Sequence, residues 1–159
     1  MSTDIEAIFS ILYNENEWPM EFKKQNNLRY DFRHSDFSHR NMERIPLNNC
    51  QLLEANFYKA NLQRVNLQVA LLAGANLRET DFRWANLQEA DLQGADLRGT
   101  DLRWAKNLRC SQVNSVKSLD RDTKFPDYLE IKITGENQWT CKDVNKEMDL
   151  DLGDQIDNP

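Results

Sequence analysis

From Phe32 onward a large apolar residue returns at every fifth position without a miss: Phe32, Phe37, Met42, Leu47, Leu52, Phe57, Leu62, Leu67, Leu72, Leu77, Phe82, Leu87, Leu92, Leu97 and Leu102. Neither regular element tolerates this period. On an α-helix five residues advance the direction by roughly 140°, so the series would wander round the cylinder and build no face. On a flat strand an odd step puts the side chain on the opposite side each time. A chain that keeps one residue in five pointing inward must turn a corner in every repeat. Fixed short periods of this kind mark solenoids.

The other slots of the repeat agree with that geometry. Two positions before the large residue the side chain is mostly small, as at Ala55, Ala60, Val65, Ala70, Ala75, Thr80, Ala85, Ala90, Ala95 and Thr100. Tyr30, Arg40 and Ile45 are the larger exceptions, all near the N-terminal end. By strand alternation the small and the large residue share the inner side, and the remaining three face out. The residue between them is usually Asn or Asp, as at Asn61, Asn76, Asp81, Asp91 and Asp101.

Ala75-Asn-Leu-Arg-Glu, Ala90-Asp-Leu-Gln-Gly and Ala95-Asp-Leu-Arg-Gly resemble the A(D/N)LXX consensus of the pentapeptide-repeat protein family. The resemblance runs in phase from Tyr30 to Trp104. It implies an all-β solenoid, a right-handed quadrilateral β-helix with four repeats to a coil, and so about four coils here. Such a rod fills its interior with its own side chains. No cofactor, metal or substrate pocket is expected inside it, and function is expected on the outer faces.

The resemblance and the pattern divide the chain into four parts. Residues 1–29 are expected to form an N-terminal helical cap. Thr3 and Glu6 fit a capping box, and Ile5, Ile8, Phe9 and Leu12 follow helical spacing over residues 3–14. Residues 30–105 form the repeat β-helix. Residues 106–141 read as a C-terminal cap segment, because Asn107 takes the slot where Leu is due, Leu108 follows one place late, and the period then fades. Leu129, Ile131 and Ile133 alternate like a short strand, and Phe125, Tyr128 and Trp139 are available to cover the last coil. Residues 142–159 read as an acidic, disordered tail. Its Asp149, Asp151 and Asp154 do not make a calcium loop, since Leu150 and Leu152 intervene and no Glu closes it.

Charge narrows the function. The net charge is −6 and the sequence pI about 5.0, which argues against a general nucleic-acid binder or an anionic membrane surface. The acidity sits in the flanks: residues 30–105 carry ten Asp/Glu against nine Lys/Arg. Some pentapeptide-repeat proteins protect DNA gyrase by imitating DNA. That alternative, a DNA-mimicking modulator of gyrase or topoisomerase, needs a dense negative stripe that this rod lacks. The longest apolar run, Val69–Ala73, is too short to span a bilayer, and the N-terminus lacks the basic start of a secretory signal, so a cytoplasmic location is expected. Cys50, Cys110 and Cys141 are odd in number and widely spaced. They suggest neither a disulfide framework nor a zinc site, and Cys50, in an inward slot, reads as core. His34 and His39, five apart, read as a solvated pair rather than a metal site.

Residues twenty apart should stack on one face. That rule is expected to give one column with Arg44, Arg64, Arg83 and Arg103, and with Trp84 directly beneath or above Trp104; these residue types are enriched at binding hot spots. The expected function is a non-catalytic interaction or regulatory scaffold with a protein partner. A homodimer through a coil end is an open alternative. No catalytic set rises above the background.

Overall fold

A computed structural model describes residues 30–144 of the chain. The helix expected over residues 3–14 and the tail from residue 145 lie outside the described residues. Residue 31 bridges residue 51, 36 bridges 56, and the parallel bridges keep this step of twenty through to Asn86 with Lys106. Four repeats therefore close one coil, and each coil lies directly on the next.

The repeat is one corner and one bridge. Each large apolar residue accepts a hydrogen bond at its carbonyl from the N–H three residues on, as in Ser35 to Phe32 and Ala75 to Leu72. The third residue of this turn has positive φ in every repeat from His34 (58°) to Trp104 (61°), as a type II turn demands. Towards the next coil, the N–H of the large residue and that of the αL residue donate to carbonyls above, as from Phe57 to Asn76 and from Lys59 to Arg78. Backbone groups are thus paired coil to coil even though no long strand forms.

The Asn/Asp slot has a physical reason. Its Oδ1 accepts the N–H two residues on, which braces the corner, at Asp31, Asn56, Asn61, Asp81, Asp96 and Asp101 among others. Where Asn stacks on Asx, the side-chain amide also donates down the column: Asn76 to Asn56 and Asn56 to Asp36, each at 2.9 Å. The side chain competes for local backbone donors, which suits a turn better than a helix.

The core is the double column of inward residues. Leu52, Leu62, Leu72 and Phe57 are fully buried, and so are Ala55, Ala70 and Ala75 in the small slot. Thr80 and Thr100 also enter this slot because each hydroxyl finds a carbonyl, Phe57 O at 2.8 Å and Leu77 O at 2.7 Å. The first coil is less closed: Tyr30 and Ser35 are half-buried and Arg40 is exposed.

Past Lys106 the coil continues in distorted form. Asn107 takes positive φ (60°) where the repeat would place an extended Leu, so the phase breaks. A short helix, α1 (Cys110–Val113), replaces one corner. Asp96 then bridges Ser118 and Asp101 bridges Lys124, steps of 22 and 23. Leu108, Val113, Val116 and Leu119 fill the interior of this last turn. The chain closes with an antiparallel hairpin of β1 (Leu129–Gly135) and β2 (Gln138–Asp143). Tyr128 stitches the slip: its hydroxyl donates to Ala105 O (2.9 Å) and accepts from the Leu108 N–H (3.0 Å).

The cysteines require a correction. Cys110 and Cys141 form a disulfide between α1 and β2 across 31 positions, contrary to the expectation from their number and spacing. The irregular turn and the hairpin register bring them together, and neither follows the five-residue period. Only Cys50 is left free among the described residues, and it is buried as expected for its slot.

Candidate interaction face

The corner residues at positive φ form outward columns with a step of twenty. Arg44, Arg64, Trp84 and Trp104 occupy one such column, and Arg83 and Arg103 the adjacent one, next to Glu43 and Gln63. The six residues therefore share a face, but as two columns rather than a single Arg column.

Within it, Trp84 and Trp104 stack with ring centroids 4.8 Å apart and planes inclined by 11°. Arg64 lies over Trp84 at 5.1 Å, Arg83 over the same ring at 5.5 Å, and Arg103 over Trp104 at 5.1 Å. The guanidiniums are held from behind. Arg83 Nη2 meets Asp81 Oδ2 at 2.7 Å and Arg103 Nη2 meets Asp101 Oδ2 at 2.7 Å, each with a second contact through Nε. These hydrogen bonds to Asp81 and Asp101 raise the pKa values of Arg83 and Arg103. Burial opposes the charge on Asp101, but the Arg103 hydrogen bonds outweigh it, and its pKa is lowered. Arg44 stands apart from the indoles; it shares Glu43 with Arg64, at 3.5 Å and 3.1 Å.

The result is a flat aromatic plate rimmed by fixed guanidiniums whose charge is largely compensated. Trp104 is 50% exposed, the most exposed aromatic among the described residues, whereas Trp84 is half-buried beneath it. The aromatic stack itself contributes about 0.5–1.5 kcal/mol beyond area burial, and the cation–π contacts hold the guanidiniums over the rings.

The remaining candidates separate. His34 Nδ1 lies 3.2 Å from Glu54 Oε2 at the surface, while His39 packs edge-on against Tyr58 at 5.4 Å. Among the described residues no group of three His, Cys, Asp or Glu could hold a metal ion, and no helix is long and apolar enough to cross a membrane. Sequence reasoning missed the carboxylates behind the guanidiniums. The signal was present: Asp two places before Arg, at 81/83, 96/98 and 101/103, is the spacing that lets one Asx brace both the turn and the side chain.

A coiled chain of parallel bridges, packed solid and carrying its distinctive chemistry outside, is a β-solenoid. The model of the pentapeptide repeats family matches in eight copies, over residues 31–68 and 70–103. Over those two stretches the chain carries pentapeptide repeats; proteins of that family fold as right-handed quadrilateral β-helices, and the bridges with a step of twenty described above are of that kind. Among solved structures it is similar to a pentapeptide repeat protein of the Arabidopsis thaliana thylakoid lumen, at 24% identity and TM-score 0.48, covering 65% of this chain and 68% of that one. It is similar to HetL of the cyanobacterium Nostoc, described as involved in heterocyst differentiation regulation, at 28% identity and TM-score 0.38. That match covers 50% of this chain and only 35% of HetL. A third is QnrB1, a plasmid-mediated fluoroquinolone resistance protein, at 15% identity and TM-score 0.30, covering 61% and 77%. No curated protein matched.

Proposed function

We propose that the protein is a non-catalytic scaffold: a rod of about four regular coils that binds a protein partner through the Arg64–Trp84–Trp104 face. The observation that carries this reading is the half-exposed Trp104 stacked on Trp84 and bordered by guanidiniums already fixed by Asp81 and Asp101. Trp and Arg dominate binding hot spots. Side chains fixed before binding lose little entropy on contact. Because the charges are compensated in place, a neutral, planar or apolar partner surface suits this face better than a polyanion, so direct nucleic-acid binding is not expected.

The test replaces both indoles. A Trp84→Ser/Trp104→Ser protein should keep its β-rich far-UV spectrum and still melt cooperatively, at a somewhat lower temperature for the lost stack. It should lose the protein captured by the wild type from the source extract. An unchanged set of captured proteins would sink the proposal. The second reading, a DNA-mimicking modulator of gyrase or topoisomerase, is met by a supercoiling assay, where no inhibition at micromolar protein removes it. A homodimer through a coil end would show as concentration-dependent mass in sedimentation.

The location proposed is cytoplasmic, and the disulfide conditions it. Disulfides that persist belong to oxidising compartments, whereas cytosolic ones are usually transient and redox-sensing. A cytoplasmic protein with the Cys110–Cys141 pair therefore implies a bond that opens and closes.

A further inference from the structure

The C-terminal hairpin is fastened to the rod unevenly. Its inner face (Leu129, Ile131, Ile133, Trp139 and Cys141) packs on the core, yet only Leu129 is buried and the other four are half exposed. Among the described residues, no hydrogen bond or ion pair from residues 129–143 reaches the coil. The Leu129 N–H stays local on Pro126 O, Lys132 pairs with Glu130 inside β1, and the rest are β1–β2 rungs. At the base of the hairpin the Tyr128 hydroxyl bonds the coil. Beyond the base a partly covered apolar face and one covalent bond, Cys110–Cys141, hold the hairpin down.

The two sides of that bond differ. Cys110 opens α1, which is anchored independently: the Gln112 side-chain amide donates to Leu87 O and Ala90 O, both at 2.8 Å, and Val113 is fully buried. Cys141 sits on β2, which has no such anchor. If the bond opens, the coil side stays and the hairpin side is free to leave. Neither cysteine is fully buried, and exchange requires that an attacking thiolate reach a sulfur of the bond. Cys50 cannot join the exchange, because burial pushes its thiol up to about 12 and keeps reagents out.

We propose that Cys110–Cys141 is a redox-operated clasp: a dithiol reductant opens it, the hairpin over residues 129–143 lifts, and the apolar end of the coil is uncovered while the repeats stay folded. In the first step a thiolate of the reductant attacks one cystine sulfur. A mixed disulfide forms, the Cys110–Cys141 bond breaks, and the departing sulfur takes a proton. The second thiolate of the reductant then attacks its own sulfur in the mixed disulfide. The reductant leaves oxidised as a cyclic disulfide, and the second cysteine takes a proton. Two electrons and two protons pass from dithiol to protein.

The experiment uses the full chain with dithiothreitol as the probe. Trypsin cleavage after Lys132 and Lys142 is followed by mass, apolar exposure by anilinonaphthalenesulfonate fluorescence, and the rod by far-UV circular dichroism. Reduction should speed cleavage at these two sites at least tenfold and raise dye binding, leave the β signal unchanged, and reverse on reoxidation. A Cys110→Ser/Cys141→Ser protein should behave as reduced without any reductant, and Cys50→Ala should respond like the wild type. Three outcomes overturn the proposal: unchanged cleavage once the bond is reduced, a bond that resists excess dithiothreitol in the native protein, or loss of the whole β signal on reduction. The last would make the disulfide a global staple instead of a local clasp. Should the double serine protein fail to fold, the reduction of the wild type decides alone.

Discussion

One backbone conformation recurs at the third residue of every corner, and most of the residues that adopt it are not glycine. Asn49 (59°) and Val69 (58°) hold positive φ in one outward column, one coil apart. Asn visits this region readily, whereas a β-branched residue there is strained, at a cost of about 1–3 kcal/mol. Val69 is only half-buried, so packing recovers little of that cost. Val69→Asn should therefore stabilise the protein by about 1 kcal/mol, read as a higher urea midpoint with an unchanged slope. The reciprocal Asn49→Val should lower the midpoint by a similar amount. If both changes move it the same way, corner strain is not what sets their effect. Gly74 and Gly99 solve the same problem without a side chain, at φ of 70° and 69°. The two tryptophans of the proposed interaction face also sit at positive φ, Trp84 at 60° and Trp104 at 61°. Large aromatics thus occupy corners that favour Gly or Asn, which is the sort of local conflict expected where function outweighs stability.

At the scale of the element, the junction between regular and irregular coil depends on the phenol of Tyr128. Half-buried, it bonds Ala105 O and the Leu108 N–H, and burial raises its pKa. Tyr128→Phe removes both bonds and leaves the Leu108 N–H without its acceptor, so a loss of about 1–3 kcal/mol is expected by chemical denaturation. Hydrogen exchange should place the loss at Leu108 and in the hairpin. Undiminished protection of the Leu108 amide would show that the bond does not hold the junction. This region also marks how far the sequence could be read. The inward columns were legible because a period of five admits one geometry, and the slip at Asn107 was legible as its failure. The alternation of Leu129, Ile131 and Ile133 predicted β1. Three features were not legible. The larger bridging steps at Ser118 and Lys124 come from inserted residues that carry no period. The Cys110–Cys141 pairing depends on a hairpin register that residue spacing alone cannot supply. The pairing of Arg83 and Arg103 with Asp81 and Asp101 turns on rotamers, although the Asp-x-Arg spacing was there to be noticed.

At the scale of the molecule, stability is a sum over stacked coils, and two global measurements follow. The first is acid sensitivity. Hydrogen bonds to Ser38 lower the Asp36 pKa below 3.8. At Asp96, Asp101 and Asp120 burial works against the charge, but donated hydrogen bonds outweigh it and the pKa values are again lowered. A carboxylate with a depressed folded pKa stabilises the fold above its unfolded value and loses that contribution as pH falls through the folded one. Urea midpoints should hence be flat above about pH 5 and fall below about pH 4; an equal midpoint at pH 7 and pH 3 would contradict it. The second concerns position along the rod. Leu72 is fully buried, and its neighbour Leu71 bridges both Gln51 below and Asp91 above. Phe32 is buried too, but among the described residues Asp31 bridges only Gln51. Leu72→Ala should cost about 2–5 kcal/mol through the lost methylenes and the cavity they leave. Because that coil joins the two halves of the rod, the cost should appear in every slow-exchanging amide from Phe57 to Leu97. Phe32→Ala removes at least as much apolar volume, yet in a stack of nearest neighbours it can loosen only the coil that contains it. Its amides over residues 31–50 should exchange faster while those of Leu72 and Leu77 keep wild-type protection. Equal loss of protection along the whole rod in both variants would mean that the coils melt as one unit, and that the terminal coil is as essential to the fold as the central one.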